Sequence, residues 1–156
     1  SYVWEDQPLG TIGAISKIND FKHKYVLIMN SDLLTNLDYE NFFVDFLNQD
    51  SDFSIVTIPY KVTIPYAVLK TSEDRVVSLK EKPTHTYYSN GGIYLAKREI
   101  FDEIPNNDFF DATSLIEKLI KKKKKVSSYP ITEYWRDIGT LQDLKKAQND
   151  ILGLGI

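Results

Sequence analysis

The chain has 156 residues, 42% hydrophobic and 26% charged, with no cysteine and a formal net charge of −3. That length supports one domain with a real core, while the absent cysteines exclude a disulfide framework or a thiolate metal site. The acidic balance argues against a nucleic-acid partner; no apolar run approaches a membrane span and no signal peptide opens the chain, so no membrane partner and a cytoplasmic location are expected.

In chain order, residues 2–5 read as a short extended piece. "PLGTIGAI" (residues 8–15) reads as a glycine-bearing turn entering a helix with Ile15 and Ile18 on one side. Tyr25 to Met29 is five apolar residues, a buried strand. Asn36 can cap a helix whose first turn holds Asp38 and Glu40, and Phe42, Phe43, Phe46 and Leu47 recur at helical spacing. Phe53 to Ile58 predicts a second strand. Residues 65–70 and 75–81 predict two more, joined by the turn "TSED". "NGGIYLA" (residues 90–96) predicts a turn feeding a strand. Asp111 to Lys123 predicts a helix with Leu115, Ile116, Leu119 and Ile120 inward, and its Lys121–Lys125 run reads as a solvated helix end. "VSSYPI" is a short strand. Thr140 caps a last helix, with Asp143 three residues on and Leu141, Leu144 and Ile151 as its apolar face. Strands alternating with helices, then a strand-rich middle, predict one α/β domain with a mixed, mostly parallel sheet.

The polar tip "NSD" after the first strand delivers Asp32 where ligands of open α/β sheets bind. A carboxylate there can hold Mg²⁺, a hard ion that prefers oxygen ligands, although an aspartate at a strand end is as readily an ordinary turn residue. "EYWRDIGT" (residues 133–140) offers a second carboxylate, Asp137, either in a simple loop or as another ligand of the same cation. Two carboxylates brought close repel unless a cation lies between them.

Five separated motifs stand in one order: "PLGTIGAI", "VLIMNSDLLT", "EKP" (residues 81–83), "NGGIYL" and "YWRDIGT". In that order they resemble the sugar-1-phosphate nucleotidyltransferases, also called nucleotide-sugar pyrophosphorylases. "IPYAVLK", "FFD" and "EYWRDIG" look most similar to the branch that makes GDP-sugars from mannose or glucosamine 1-phosphate. The resemblance implies a Rossmann-like nucleotidyltransferase fold. It implies transfer of a nucleotidyl group from a nucleoside triphosphate, GTP favoured, to a hexose 1-phosphate, with release of pyrophosphate. It implies Mg²⁺ on Asp32 and Asp137, the nucleobase beside Gly10 and Thr11, and Lys82 near the sugar phosphate as a third catalytic group. Tyr66, Ala67, Glu81, Asn90, Gly92 and Trp135 are implied to shape the sugar-phosphate pocket. Read without the resemblance, Glu81 and Lys82 are ordinary surface charges, residues 90–92 a turn, Trp135 core, and Gly10 and Gly13 a helix entry.

Three positions depart from the family pattern. Ser31 stands where glycine often precedes the metal aspartate, Ala67 where glycine often follows tyrosine, and Gly91 where alanine is common. The family's glycine-rich triphosphate loop is not found. Residues 1–156 are therefore expected to be the C-terminal portion of a single nucleotidyltransferase domain, inactive alone, with an incomplete sheet exposed for homo-oligomer contacts. A non-catalytic regulatory or assembly subunit of the same fold would also explain the missing loop. A nucleotide-sugar-dependent glycosyltransferase would place acids near a strand end, but leaves "EKP" and "WRDIG" unexplained.

Overall fold

A computed structural model describes residues 2–18 and 20–154. Its centre is a four-stranded sheet in the order β1 (Tyr25–Met29), β6 (Thr84–Lys97), β3 (Phe53–Thr63), β7 (Val126–Pro130), with β2 (Leu33–Thr35), β4 (Val68–Ser72) and β5 (Arg75–Lys80) between them in sequence. β3 and β7 run parallel, while β6 runs antiparallel to both β1 and β3. The sheet is mixed: three strands share a direction and β6 opposes them.

Period-two alternation along β6 supplies both faces of the sheet. Tyr94 and Ala96 join Phe53, Leu115 and Leu119 in one core cluster. Ile93 and Leu95 join Phe42, Phe46, Val56 and Ile131 in the other. α2 (Ala112–Lys121) covers the first face and α1 (Tyr39–Asn48) the second, an α/β/α layering that buries the sheet on both sides. Phe42, Phe53, Leu115 and Leu119 are fully buried, so truncating either phenylalanine would cost about 3–5 kcal/mol.

Several elements differ from the sequence reading, each for a local reason. The first helix is a single 3₁₀ stretch, Gly13–Lys17. Asp38, not Asn36, caps α1, because its carboxylate accepts the Asn41 N–H at 2.9 Å. Asn36 instead accepts the Tyr134 N–H at 2.8 Å. Phe43 and Leu47 lie at the margin of the α1 contact and stay over a third exposed, as does Ile120 on α2. β3 runs on to Thr63 because β6 extends alongside it, so the two leave the core as a long ribbon. β4 and β5 continue it as a hairpin. Glu73 and Asp74, at φ 46° and 63°, make its two-residue turn.

The expected turn at residues 90–92 is a bulge inside β6. Ile55 pairs with Tyr94, but two residues later Thr57 pairs with Asn90, so β6 carries two extra residues there. Gly92 takes φ +70°, the left-handed region glycine tolerates. Asp137 also lies not in a loop but at the end of β8 (Trp135–Asp137), which pairs antiparallel with β2. β8 leads into α3 (Leu141–Leu154), whose Thr140 hydroxyl accepts the Asp143 N–H as the capping pattern requires.

Candidate active site

The loop before the 3₁₀ turn is locked to the start of α2. Thr11 donates from its N–H and hydroxyl to Asp111 Oδ1 at 3.0 and 3.2 Å. Its hydroxyl oxygen accepts the Ala112 N–H at 2.9 Å. Gly10 has φ +79°, and a Cβ there would fall 2.7 Å from the Phe110 carbonyl oxygen. Glycine lets this loop press against the α2 entry; any side chain would lift it away.

The β6 bulge takes Gly91 and Gly92 out of the regular β3 register and bonds them to two other elements. The Asn30 N–H at the tip of β1 donates to the Gly92 carbonyl at 3.0 Å. The Trp135 indole N–H donates to the Gly91 carbonyl at 2.8 Å. Asn90 is fixed by two bonds: its Oδ1 accepts the Gly92 N–H at 2.9 Å, and its amide donates to the Tyr94 hydroxyl at 2.8 Å. Burial pushes the Tyr94 phenol above its usual range, and the Asn90 bond offsets part of that.

The β2–β8 ladder brings the two predicted metal aspartates onto neighbouring rungs. Leu33 pairs with Asp137, and the Ile138 N–H donates to the Asp32 carbonyl at 2.8 Å. Residues 99 or more apart in sequence, Thr35 and Tyr134, are tied in the same ladder by a 2.7 Å bond. Both aspartates are exposed.

These pieces enclose a cleft of about 350 Å³, within the range of small-molecule sites. Of the residues singled out from sequence, Thr11, Asn90, Gly92, Trp135 and Asp137 line it. Gly10 abuts Thr11, and Asp32 directly precedes the lining residue Leu33. Asn30, Tyr94, Asp111, Ala112 and Thr113 line it as well, and none was singled out. Asp111, just before a helix, carried a detectable N-cap signal. Tyr94 carried none, because it reads as an ordinary strand residue and its hydroxyl meets the cleft through the Asn90 amide.

Tyr66, Ala67, Glu81 and Lys82 gather elsewhere. The Ile64 N–H donates to the Pro83 carbonyl at 3.0 Å, which holds these four at the break between the β3–β6 ribbon and the β4–β5 hairpin. Thr84, next to that break, is six residues along β6 from Asn90, roughly 20 Å of extended chain. Lys82 takes φ +41° there.

The donor set of the ladder suits Mg²⁺: two carboxylates are hard oxygen ligands, and the ion pairs of the described residues lie elsewhere. Among the described residues, no group of three or more acidic or histidine side chains forms a closed cage. Were Asp32 and Asp137 to hold the ion, its other positions would be left to water and phosphate oxygens, the common arrangement for this ion.

A family model described as nucleotidyl transferase matches residues 1–153. A D-glycero-alpha-D-manno-heptose 1-phosphate guanylyltransferase of Aneurinibacillus thermoaerophilus is 32% identical over 97% of this chain and 66% of its own length. A glucose-1-phosphate adenylyltransferase of Clostridium perfringens is 28% identical over 92% of this chain and 41% of its own. Among solved structures, HddC from Yersinia pseudotuberculosis complexed with GMP-PN superposes with a TM-score of 0.67. It is 27% identical, and the match covers 94% of this chain and 64% of that one. The chain thus spans between two-fifths and two-thirds of the length of these relatives. With the mixed α/β sheet, the ladder that pairs Leu33 with Asp137, and this family match, the chain belongs to the nucleotidyl transferase family.

Proposed function

We propose that the chain serves a Mg²⁺-dependent sugar-1-phosphate nucleotidyltransferase, with GTP as the favoured nucleotide. The observation that carries this reading is the β2–β8 ladder, which sets Asp32 one rung from Asp137, a lining residue of the Asn90–Gly92–Trp135 cleft. In the reaction a phosphate oxygen of the sugar 1-phosphate bonds to the α-phosphorus of the triphosphate. The bond from that phosphorus to the bridging oxygen breaks, and pyrophosphate leaves with the electron pair. Such chemistry depends chiefly on positioning and charge neutralisation.

Asp32 and Asp137 would hold the Mg²⁺, which supplies neutralisation to the phosphates when bound. Thr11, pinned by Asp111, holds the Gly10 loop rigid beside the nucleotide, and that loop lets a base approach the backbone closely. Trp135 gives the sugar a flat wall, fixed in orientation by its bond to Gly91. Asn90 and Gly92 shape the pocket floor. Tyr66, Ala67, Glu81 and Lys82 are proposed, on the resemblance of "EKP" and its neighbours, to meet the sugar phosphate. That role requires the break in the ribbon to approach the cleft. Lys82 offers a compact ammonium suited to an anion. The nucleotide preference rests on the guanylyltransferase similarity, and the cytoplasm is the compartment where such triphosphates are abundant.

The experiment is a pyrophosphate-release assay on the natural full-length protein with GTP, ATP, UTP and dTTP against a panel of hexose and heptose 1-phosphates. GTP-dependent release that requires Mg²⁺ is expected. Asp137→Asn should lower turnover at limiting Mg²⁺ by at least about tenfold while the melting temperature stays unchanged, since the side chain is exposed. No release with any pair would overturn the activity. A preference for ATP would overturn the nucleotide alone, and unchanged Mg²⁺ dependence in Asp137→Asn would overturn the metal assignment.

A further inference from the structure

The N-terminal end of β1 and the C-terminal end of β6 carry a second concave region. Tyr25 pairs with Lys97 there, and the Arg98 N–H donates to the Lys24 carbonyl at 2.8 Å. That bond seats residues 21–24 beside the 3₁₀ turn Arg98–Glu103. Lys24 lies at the opposite end of β1 from Asn30, roughly 20 Å of extended chain away. None of the residues lining the first cleft lines this region.

Two hollows adjoin at Phe21 and Arg98, which line both. The larger, about 420 Å³, is walled by Ile15, Ile18, Phe21, Phe101 and Ile104. Asp102 and Asn106 are among its polar groups. Phe21 stacks on the buried Phe101 with ring centroids 5.1 Å apart, so the shared wall is held by the core. The smaller, about 310 Å³, is lined by Lys22, His23, Lys24, Arg98 and a single carboxylate, Glu99. Both volumes fall in the range of small-molecule sites.

Charge fixes what the smaller hollow would take. It gathers three cations in a chain of net charge −3. Nearby acids are engaged elsewhere: Lys97 holds Asp50 and Asp52, and Lys118 and Lys122 hold Glu103. Among the described residues Lys22, Lys24 and Arg98 form no ion pair. Lys24 lies over the Tyr25 ring, 5.2 Å from its centroid, a contact that leaves its N–H donors free. Cations lining one hollow suit a phosphate, whose oxygens accept several charge-assisted bonds and match the arginine fork. The Asp102 carboxylate would repel that group from the larger hollow, whose wall suits an apolar body instead.

We infer that the two hollows form a second ligand site, separate from the nucleotidyl-transfer cleft, for a small organic phosphate. Its phosphate lies among Lys22, Lys24 and Arg98, and its apolar body lies against Ile15, Ile18 and Phe21. The site is independent of the reaction proposed above, because none of these residues is assigned to that reaction.

Phenyl phosphate and inorganic phosphate, titrated without Mg²⁺ into the isotope-labelled natural full-length protein and followed by amide chemical shifts, test the site. Saturable shifts are expected in residues 15–18, 21–24 and 98–106. Phenyl phosphate should bind at least about threefold more tightly than inorganic phosphate, because only it fills the apolar hollow. Arg98→Ala and, independently, Lys22→Ala with Lys24→Ala should each raise the dissociation constant at least about tenfold. Circular dichroism should not change, since all three side chains are exposed. Absence of saturable shifts up to about 10 mM ligand overturns the inference. So do shifts confined to the cleft of Thr11 and Asn90, equal affinity for the two phosphates, or a dissociation constant that neither variant alters.

Discussion

Arg136 and Asp150 join β8 to α3: the guanidinium Nη2 lies 2.8 Å from Asp150 Oδ2. Arg136 Nε donates to the same oxygen at 3.1 Å, and the Tyr134 hydroxyl donates to it at 2.7 Å. This clasp anchors a helix with little else to hold it. Leu141 and Leu152 are 78% and 85% exposed, and Ala147 is its buried contact. Asp150→Ala should therefore release α3 selectively. Hydrogen exchange should show lost protection over residues 141–154 with the melting of the core little changed. Protection lost equally in β3 and β6 would show that the helix is not a separate unit.

Trp135 tests the cleft wall. Its replacement by phenylalanine keeps an aromatic ring but strips the donor from the buried Gly91 carbonyl. An orphaned buried acceptor costs about 1–2 kcal/mol. Urea denaturation should give that loss with an unchanged m-value, and no loss would mean water satisfies the carbonyl.

Gly92 tests the bulge. At φ +70°, with a Cβ position 2.8 Å from Asn30 Nδ2, alanine is both strained and obstructed. Gly92→Ala should cost about 1–3 kcal/mol. Gly139→Ala, where the nearest atom is 3.7 Å away, should be close to neutral by the same thermal melts. Equal effects would show that the bulge is not conformationally demanding.

Stability should fall in acid through two carboxylates. Burial alone would raise the Asp52 pKa, but the Lys125 N–H and the Lys97 ammonium, 2.9 Å away, outweigh it and hold it below its ordinary 3.8. Glu103 is held below 4.5 chiefly by its bond to Lys122, then by Lys118, with burial opposing. A depressed carboxylate contributes stability that is complete above its unfolded pKa and is lost as pH falls through its folded one. The loss should thus appear below pH 4.5 for Glu103 and below 3.8 for Asp52. Asp52→Asn with Glu103→Gln should flatten the stability curve there, and an unchanged slope would assign acid unfolding to other groups.

What could be read ahead of the structure was whatever local pattern decides. The β4–β5 turn, α2 and the Thr140 cap follow from spacing or capping within a few residues, as does β1, although the expected buried strand leaves Leu27 and Met29 over a third exposed because it lies at the sheet edge. Residues 90–92 misled because their conformation is set from afar, by Trp135 and Asn30, while a glycine pair in isolation signals a turn. Asn36 and Asp38 are both good caps, and the distant Tyr134 N–H decided between them. Hydrophobic periodicity marked α1 correctly but made its buried stripe too wide, since it cannot sense how narrow the sheet beneath is. For the site, motif order brought out five residues that do meet at one cleft. Tyr94 and Asn30 stayed hidden because what brings them in is their bonding to the bulge, through Asn90 and the Gly92 carbonyl.

The two surplus residues in β6 have a further consequence for how this molecule can change. Because the surplus is even, side chains keep the same up-and-down alternation on either side of the bulge. Deleting one of Gly91 and Gly92 would leave an odd surplus, and β6 could then keep its outer pairing with the unbroken β3 only by breaking its own alternation. Deleting both would leave the ribbon facing as before and erase only the wall of the cleft. A change of two residues at this point therefore disturbs the ribbon least, and falls on the pocket beside it.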